Sequence, residues 1–419
     1  MEYFAVQGGR PLSGEVRIQG SKNSALPILA ATLLARGESV LHRCPALSDI
    51  DAAGGILTAL GCRVRREGDA LLVNTAGRSG CAVPAPLMGR MRASVLFLGA
   101  LLASGGEAAA CSPGGCALGD RPIDLPLRAF RLLGAEVFGE GEALRCRCGR
   151  LRGRELLLPF PSVGATENAM LAACGAQGVT EIRNAAREPE IEDLQGFLRQ
   201  MGAKVSGGGT GCITIEGGAP LRPAEYTVMP DRIVTATCLS AVAAAGGVGA
   251  LAGARAGDLL PVIEALERAG CSITEEADRL VIRRTGPLRG IGPVVTRPYP
   301  GFPTDAQPLL AAALAGGVGE TEVTETIFDR RFRYTRELNR MGASITVEGN
   351  TARIPGAGAL RGAEVYAADL RGGAALTVAA LAAAGESRVY GAEHIDRGYE
   401  ALETVFTRLG GSVRRERTD

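Results

Sequence analysis

Six times along this chain a helical run ends on the same kind of phrase. The copies are LTALGCRV (57–64), FRLLGAEV (130–137), FLRQMGAKV (197–205), LERAGCSI (266–273), LNRMGASI (338–345) and FTRLGGSV (406–413). Their glycines, Gly61, Gly134, Gly202, Gly270, Gly342 and Gly410, stand 68 to 73 residues apart. Each sits where a helix end calls for a left-handed residue, a conformation glycine adopts without steric cost. Short alternating segments follow, among them ALLVNT, ALRCRC, CITIEG, RLVIRR and TARIPG, with the period of hairpin strands. A self-similar period restricts the fold more than any compositional argument.

A second phrase precedes each of these, an Ala/Leu-rich run closed by glycine: ALPILAATLLARG, ASVLFLGALLASG, ENAMLAACGAQG, IVTATCLSAVAAAGG, AQPLLAAALAGG and AALTVAALAAAG. A helix apolar on every face is buried, and alanine lets buried helices approach closely. Each unit of about 70 residues therefore reads as buried helix, strand, outer amphipathic helix and strand hairpin. Six units make an α/β protein of two compact pseudo-threefold domains, three units each, with the helices inside the sheets. A solenoid is the alternative, but its repeats usually run to about 20–50 residues. Residues 1–21 read as a strand pair that closes the far domain beside the C-terminus. The second linker is expected near YTVMPD (226–231), where proline interrupts the pattern.

Charge and composition remove several function classes. Net charge is +1, from 46 basic and 45 acidic residues, without the basic excess of a general nucleic-acid binder. Aromatics make up 4% with no Trp, too few for a base-stacking platform. Residues 233–254 carry no charge and are long enough to span a bilayer, yet they are mostly small residues broken by Gly-Gly, so a buried helix is the better reading. The start, MEYFAVQGGR, lacks the basic and apolar regions of a secretory signal, which points to the cytoplasm. The eleven cysteines, odd in number and irregularly spaced, fit free thiols. With only His42 and His394, and with Cys146-x-Cys148 two ligands short, no metal site is expected. Of the 46 basic residues only Lys22 and Lys204 are lysine. A GC-rich coding bias explains the rest, and makes the surviving lysines worth attention because Arg and Lys differ at a tight charged site.

Each apolar run is entered through polar or charged residues: Ser21-Lys22-Asn23, Arg90-Met91-Arg92, Ser162 to Thr166, Asp231-Arg232, Thr304-Asp305 and Asp369-Leu370-Arg371. Ordinary capping accounts for Thr166, Thr304 and Asp231. It does not account for Lys22, Arg92, Arg232 and Arg371, since a cation at a helix N-terminus opposes the macrodipole. Anionic ligands bound there would offset that cost. Elsewhere, CSPGGCALGDRPIDL (111–125) sets Cys116 on a Gly-rich loop beside Asp120 and Arg121, where an exposed thiol near a cation is open to reaction; such loops also arise by chance. HIDRGYE (394–400) and NAAREPEIED (184–193) place Arg397 with Glu400, and Arg187 with Glu188, in turns before helices, where surface ion pairs are the plain alternative.

SKNSALPI (21–28), MRAS (91–94), PGGCALGDRPIDL (113–125), SVGAT (162–166), NAAREPEI (184–191), PDRI (230–233), FPTD (302–305), FDRRF (328–332), DLR (369–371) and HIDRGYE together resemble the UDP-N-acetylglucosamine 1-carboxyvinyltransferases, colinearly over essentially the whole chain. The resemblance implies enolpyruvyl transfer from phosphoenolpyruvate to the sugar 3′-hydroxyl with loss of phosphate, and no cofactor, metal, nucleic acid, membrane or obligate protein partner. It implies two inside-out α/β barrel domains, 22–229 (carrying the catalytic Cys loop, 111–121) and 1–21 plus 230–419, with the active site in the cleft between them. Cys116 would be the general acid and could form a covalent adduct, and Asp305 would accept the sugar proton. Lys22, Asn23, Arg121, Arg371 and Arg397 would bind phosphoenolpyruvate, with Lys22 and Arg397 also serving the chemistry. Asn23, Arg92, Arg121, Pro122, Ile123, Asp124, Leu125, Ser162, Val163, Gly164, Asp305 and Ile327 would contact the UDP-sugar. Two positions depart from the pattern: Ser48 stands where the family often has Lys, and Pro126 where it has His. The sister transferase acting on shikimate 3-phosphate is the runner-up, disfavoured by Asn23 and by PGGC. A silent UDP-sugar-binding paralogue is the remaining alternative.

Overall fold

A computed structural model describes residues 1–111, 123–139 and 143–418, with the backbone alone at Arg90, Arg92, Cys111 and Ala143. The six apolar runs form helices: α1 (Lys22–Ala31), α2 (Leu96–Gly105), α3 (Val163–Cys174), α4 (Arg232–Ala245), α5 (Gln307–Ala315) and α6 (Leu370–Ala382). The six outer helices end as the repeated glycines require. Gly61, Gly134, Gly202, Gly270, Gly342 and Gly410 all have φ between +86° and +108°. In the first copy Gly61 N–H donates to Thr58 O and Cys62 N–H to Leu57 O, and the same pair of bonds recurs in the other five. This is the Schellman arrangement, which satisfies two carbonyls that a helix end leaves open.

Among the described residues, those from 20 to 229 form one compact unit, and those of 1–19 and 230–418 the other. In the second unit α4, α5 and α6 each pack on the other two, and nearly every one of their residues is buried. In the first, α2 packs on both α1 and α3. Gly99 of α2 is required by that approach, because a Cβ there would stand 2.6 Å from the Asn168 carbonyl oxygen of α3.

Among the described residues five sheets have four strands and one has three. A typical sheet takes one edge strand in parallel, as Glu155–Leu157 lies on Gly178–Arg183, and closes with an antiparallel hairpin, here Lys204–Ser206 and Cys212–Gly217. In the three-stranded sheet the parallel edge is reduced to a single bridge between Ala82 and Ala109. Each unit closes on itself. Glu225–Thr227 pairs in parallel with Glu38–His42, joining the last strand of the first unit to its first repeat. In the second unit Glu2–Gln7 lies between Glu386–Tyr390 and Ser412–Arg417, while Leu12–Arg17 runs parallel to Gly247–Ala252. The uncharged stretch 233–254 divides into α4 and the strand Gly247–Ala252, separated at Gly246 and Gly247, both at positive φ. No helix among the described residues is long and apolar enough to cross a membrane.

Candidate active site

The starts of the buried helices are where the sequence concentrates its charges, and of the three caps expected there Asp231 serves as one while Thr166 and Thr304 do not. Ser21 caps α1, Ser162 caps α3, Asp231 caps α4 and Asp369 caps α6. Thr166 lies one turn inside α3, where its hydroxyl donates to Ser162 O and accepts from Ala186 N–H. Thr304 caps nothing; its hydroxyl donates to Glu325. The shorter reach from Ser162 and the two acceptor oxygens of Asp explain the preference.

In the first unit Lys22 occupies the first turn of α1 and its Nζ lies 3.4 Å from Asp49 Oδ2. Asp49 is buried in the first turn of the outer helix Ser48–Ala59, so a carboxylate of the chain itself meets the cation. Asn23, the next residue of α1, is half-buried. Ser24 and Tyr226 donate to Asp193, as does Met229 N–H, tying α1 to the outer helix Pro189–Gln200. Ser162, Val163 and Gly164 form the start of α3, and Ile123, Asp124 and Leu125 the start of the helix Asp124–Leu132. Pro126 falls in the first turn of that helix, where an N–H has no partner within the helix to lose. Ser48 is exposed at the head of its helix. Cys116, Arg121 and Pro122 lie outside the described residues, and Arg92 is described in its backbone alone. Deeper in the unit Glu167 is fully buried in α3, and burial, followed by the charges of Glu190 and Glu188, pushes its carboxyl well above the usual carboxylate range.

In the second unit Asp305 is held between two guanidiniums. Arg331 donates to Oδ1 at 2.7 Å, and Arg371 donates to Oδ2 through Nε and Nη2, both at 3.2 Å. The Arg331 and Arg371 side chains are 1% and 4% exposed, Asp305 28%. Arg331 also donates twice to Thr304 O. Arg371 Nη1 donates to Tyr399 at 3.1 Å, and the Tyr399 hydroxyl stands 2.9 Å from Thr237, whose own proton goes to Ile233 O. The Tyr399 proton therefore points to Thr237, leaving its lone pair for Arg371. Burial disfavours the Arg371 charge, but Tyr399, Asp305 and Asp231 outweigh it and hold the guanidinium protonated. Of its five N–H donors three are engaged, and two remain for a ligand. The three bonds make the Asp305 carboxylate an immobilised acceptor.

Arg397 is half-buried in the turn after the short helix Ala392–Ile395, two residues before Tyr399. The Gln19 side chain brackets this turn, donating to Gly398 O and accepting from Glu400 N–H. Ile327 directs its N–H to Glu325 Oε1 at 2.7 Å. Any ligand contact from its backbone must therefore use the carbonyl as an acceptor. Arg232, the fourth cation expected to need an anion, is buried with its guanidinium 5.8 Å from the Tyr299 ring. The anion argument thus needs amending for Lys22 and Arg371, which the chain supplies with Asp49 and Asp305. Arg331 and Glu325 were missed; FDRRF marked the first only as part of a pattern, and a single Glu between threonines carries no signal. Among the described residues no three His, Cys, Asp or Glu side chains are grouped to hold a metal ion.

The chain matches the family model for EPSP synthase (3-phosphoshikimate 1-carboxyvinyltransferase) over residues 6–406. It is 48% identical over 413 residues to UDP-N-acetylglucosamine 1-carboxyvinyltransferase 2 of Caldanaerobacter subterraneus, covering 99% of both chains. It is 46% identical over 423 residues to the UDP-N-acetylglucosamine 1-carboxyvinyltransferase of Gluconacetobacter diazotrophicus, covering 100% of both. Among solved structures, the enolpyruvyl transferase NikO from Streptomyces tendae superimposes with a TM-score of 0.90 at 25% identity, over 100% of this chain and 99% of that one. An EPSP synthase from Acinetobacter baumannii shares the fold, with a TM-score of 0.76 at 20% identity and 100% of both chains covered. With the family model spanning nearly its full length and relatives near half-identical from end to end, the chain belongs to the EPSP synthase family of enolpyruvyl transferases.

Proposed function

We propose that this chain transfers the enolpyruvyl group of phosphoenolpyruvate to the 3′-hydroxyl of UDP-N-acetylglucosamine and releases phosphate, the first committed step of peptidoglycan precursor synthesis. The observation that carries the reading is end-to-end identity of 43–48% to relatives bearing that activity in their name. The geometry of Asp305 supports it. An acceptor fixed between two buried cations is suited to take the hydroxyl proton as the sugar oxygen attacks C2 of phosphoenolpyruvate. Cys116 gives its thiol proton to the C3 methylene, forming a tetrahedral adduct. The bond from C2 to the phosphate oxygen then breaks, C3 loses a proton, and the double bond returns.

Lys22, Arg121 and Arg397 hold the phosphate, and the two open N–H groups of Arg371, with Arg397, meet the carboxylate. Asn23 serves both substrates. Fixed cations of this kind stabilise charge that grows in the transition state. Arg92, Arg121 to Leu125, Ser162 to Gly164, Asp305 and the Ile327 carbonyl contact the UDP-sugar. The enzyme acts in the cytoplasm on two small molecules, without cofactor, metal or obligate protein partner. Phosphate release from phosphoenolpyruvate, with UDP-N-acetylglucosamine and shikimate 3-phosphate offered separately, tests the reading. Release with the UDP-sugar alone is expected. Release with the shikimate ester alone would overturn the choice of acceptor, and release with neither, from folded protein that binds the UDP-sugar, would favour a silent paralogue.

A further inference from the structure

Glu325 is 3% exposed and accepts four hydrogen bonds through its two carboxylate oxygens. Oε2 accepts from the Thr304 hydroxyl at 2.9 Å. Oε1 accepts from the Thr296 hydroxyl at 2.9 Å and from the N–H groups of Ile327 at 2.7 Å and Phe328 at 3.2 Å. Its own backbone is pinned on both sides, since its N–H donates to Asn350 O and its carbonyl accepts from the Asn350 amide. Thr326 returns to Thr296 through two further bonds. One buried acceptor thus joins two segments. The first carries Asp305, one residue after Thr304, and the second carries Ile327.

We infer that Glu325 is the positioning residue for the acceptor-sugar side of the site, fixing the Asp305 carboxylate and the Ile327 carbonyl at a set separation. The inference rests on the functional reading above, in which those two residues meet the UDP-sugar. A carboxylate suits the task because it accepts only, and all four groups aimed at it donate here. Glutamine is a near substitute: its oxygen can take the place of Oε1, and its NH2 can donate to Thr304, whose hydroxyl accepts equally well. Alanine leaves both backbone N–H groups without an acceptor and releases Thr304. Small displacements of a proton acceptor are expensive in rate, about a hundredfold for 1 Å. Lys22, Arg371 and Arg397 are not bonded to Glu325, and Arg371 is reached only through Asp305, so phosphoenolpyruvate binding is disturbed less than sugar binding.

The test is steady-state kinetics of Glu325→Gln, Glu325→Ala and Thr304→Val on the full chain, varying each substrate in turn and recording Tm. Glu325→Gln is expected within about threefold of the parent, and Glu325→Ala is expected to lose about tenfold to a hundredfold in kcat/KM for UDP-N-acetylglucosamine, with a smaller change in KM for phosphoenolpyruvate. Thr304→Val guards against an unfolded alanine variant, and should lower kcat by about threefold to tenfold with a near-parental Tm. Unchanged sugar kinetics in Thr304→Val, or KM values for both substrates rising equally, would overturn the positioning role. A parent chain that does not release phosphate with the UDP-sugar would instead overturn the functional reading beneath it.

Discussion

Asp305→Asn separates what the carboxylate does for the fold from what it does for the reaction. The substitution keeps the size and one acceptor oxygen, but places an NH2 where the second oxygen accepted. One of the two buried guanidiniums then faces a donor. Removing one partner of a buried ion pair costs about 3–5 kcal/mol. Here Asp305 is 28% exposed, and each arginine keeps another acceptor, Thr304 O for Arg331 and Tyr399 for Arg371. Those contacts reduce the expected loss to about 2–3 kcal/mol. In a unit of about 200 residues this lowers Tm by about 5–10 °C. Loss of the proton acceptor lowers kcat by about 10²–10⁴-fold. Adding Arg331→Met removes one stranded cation, so the double variant should regain part of the Tm and none of the turnover. Calorimetry and the phosphate-release assay read the two quantities independently. Turnover of Asp305→Asn within tenfold of the parent would refute the acceptor role, and an unchanged Tm would refute the ion-pair argument.

Lys22→Arg should lower kcat/KM by at least about tenfold, or 1.4 kcal/mol, because a planar fork cannot replace a point charge set beside Asp49; an unchanged value would make Lys22 a bystander. Burial pushes the thiols of Cys174 and Cys238 up to about 12 from 9. Both should resist alkylation in the native chain near pH 7 and react on unfolding, as peptide mass mapping would show. A raised folded pKa favours the protonated native form, so their stabilisation is complete below pH 9 and should fall as pH rises toward 12; denaturant melts that do not weaken over that range would contradict it. Glu167 has the same sign at lower pH, its contribution falling away above 4.5. Glu167→Gln should therefore raise stability at pH 7 and flatten its pH dependence, and a destabilised variant would refute this.

The fold is legible in the sequence because its signals are local. A glycine at a left-handed helix end and a run of small apolar residues both act over a few neighbours, and both recur six times. The site was legible in part, for the opposite reason. Lys22 and Arg371 stood out as cations at helix starts, but their carboxylates lie 27 and 66 residues away, brought in only by the closed fold. Capping was misjudged at Thr166 because Ser162 and Thr166 are one helical turn apart, and sequence does not say where the first turn begins. Glu325 and Arg331 act through tertiary hydrogen bonds and leave no periodic trace.

The pairing of Glu2–Gln7 sets a problem for synthesis on the ribosome. This strand emerges well before both its neighbours, Glu386–Tyr390 and Ser412–Arg417, which lie more than 370 residues further along the chain. At about 5–20 residues per second the interval is about 20–80 s. The unit of residues 20–229 meets no such delay, because its closing strand Glu225–Thr227 arrives with the rest of it. Once residue 229 has emerged, the nascent chain therefore carries a finished unit behind an unpaired strand containing Tyr3, Phe4 and Val6, the kind of open edge on which foreign strands assemble. Ribosome-associated chaperones that cover such edges would find their substrate in this strand, ahead of the finished unit.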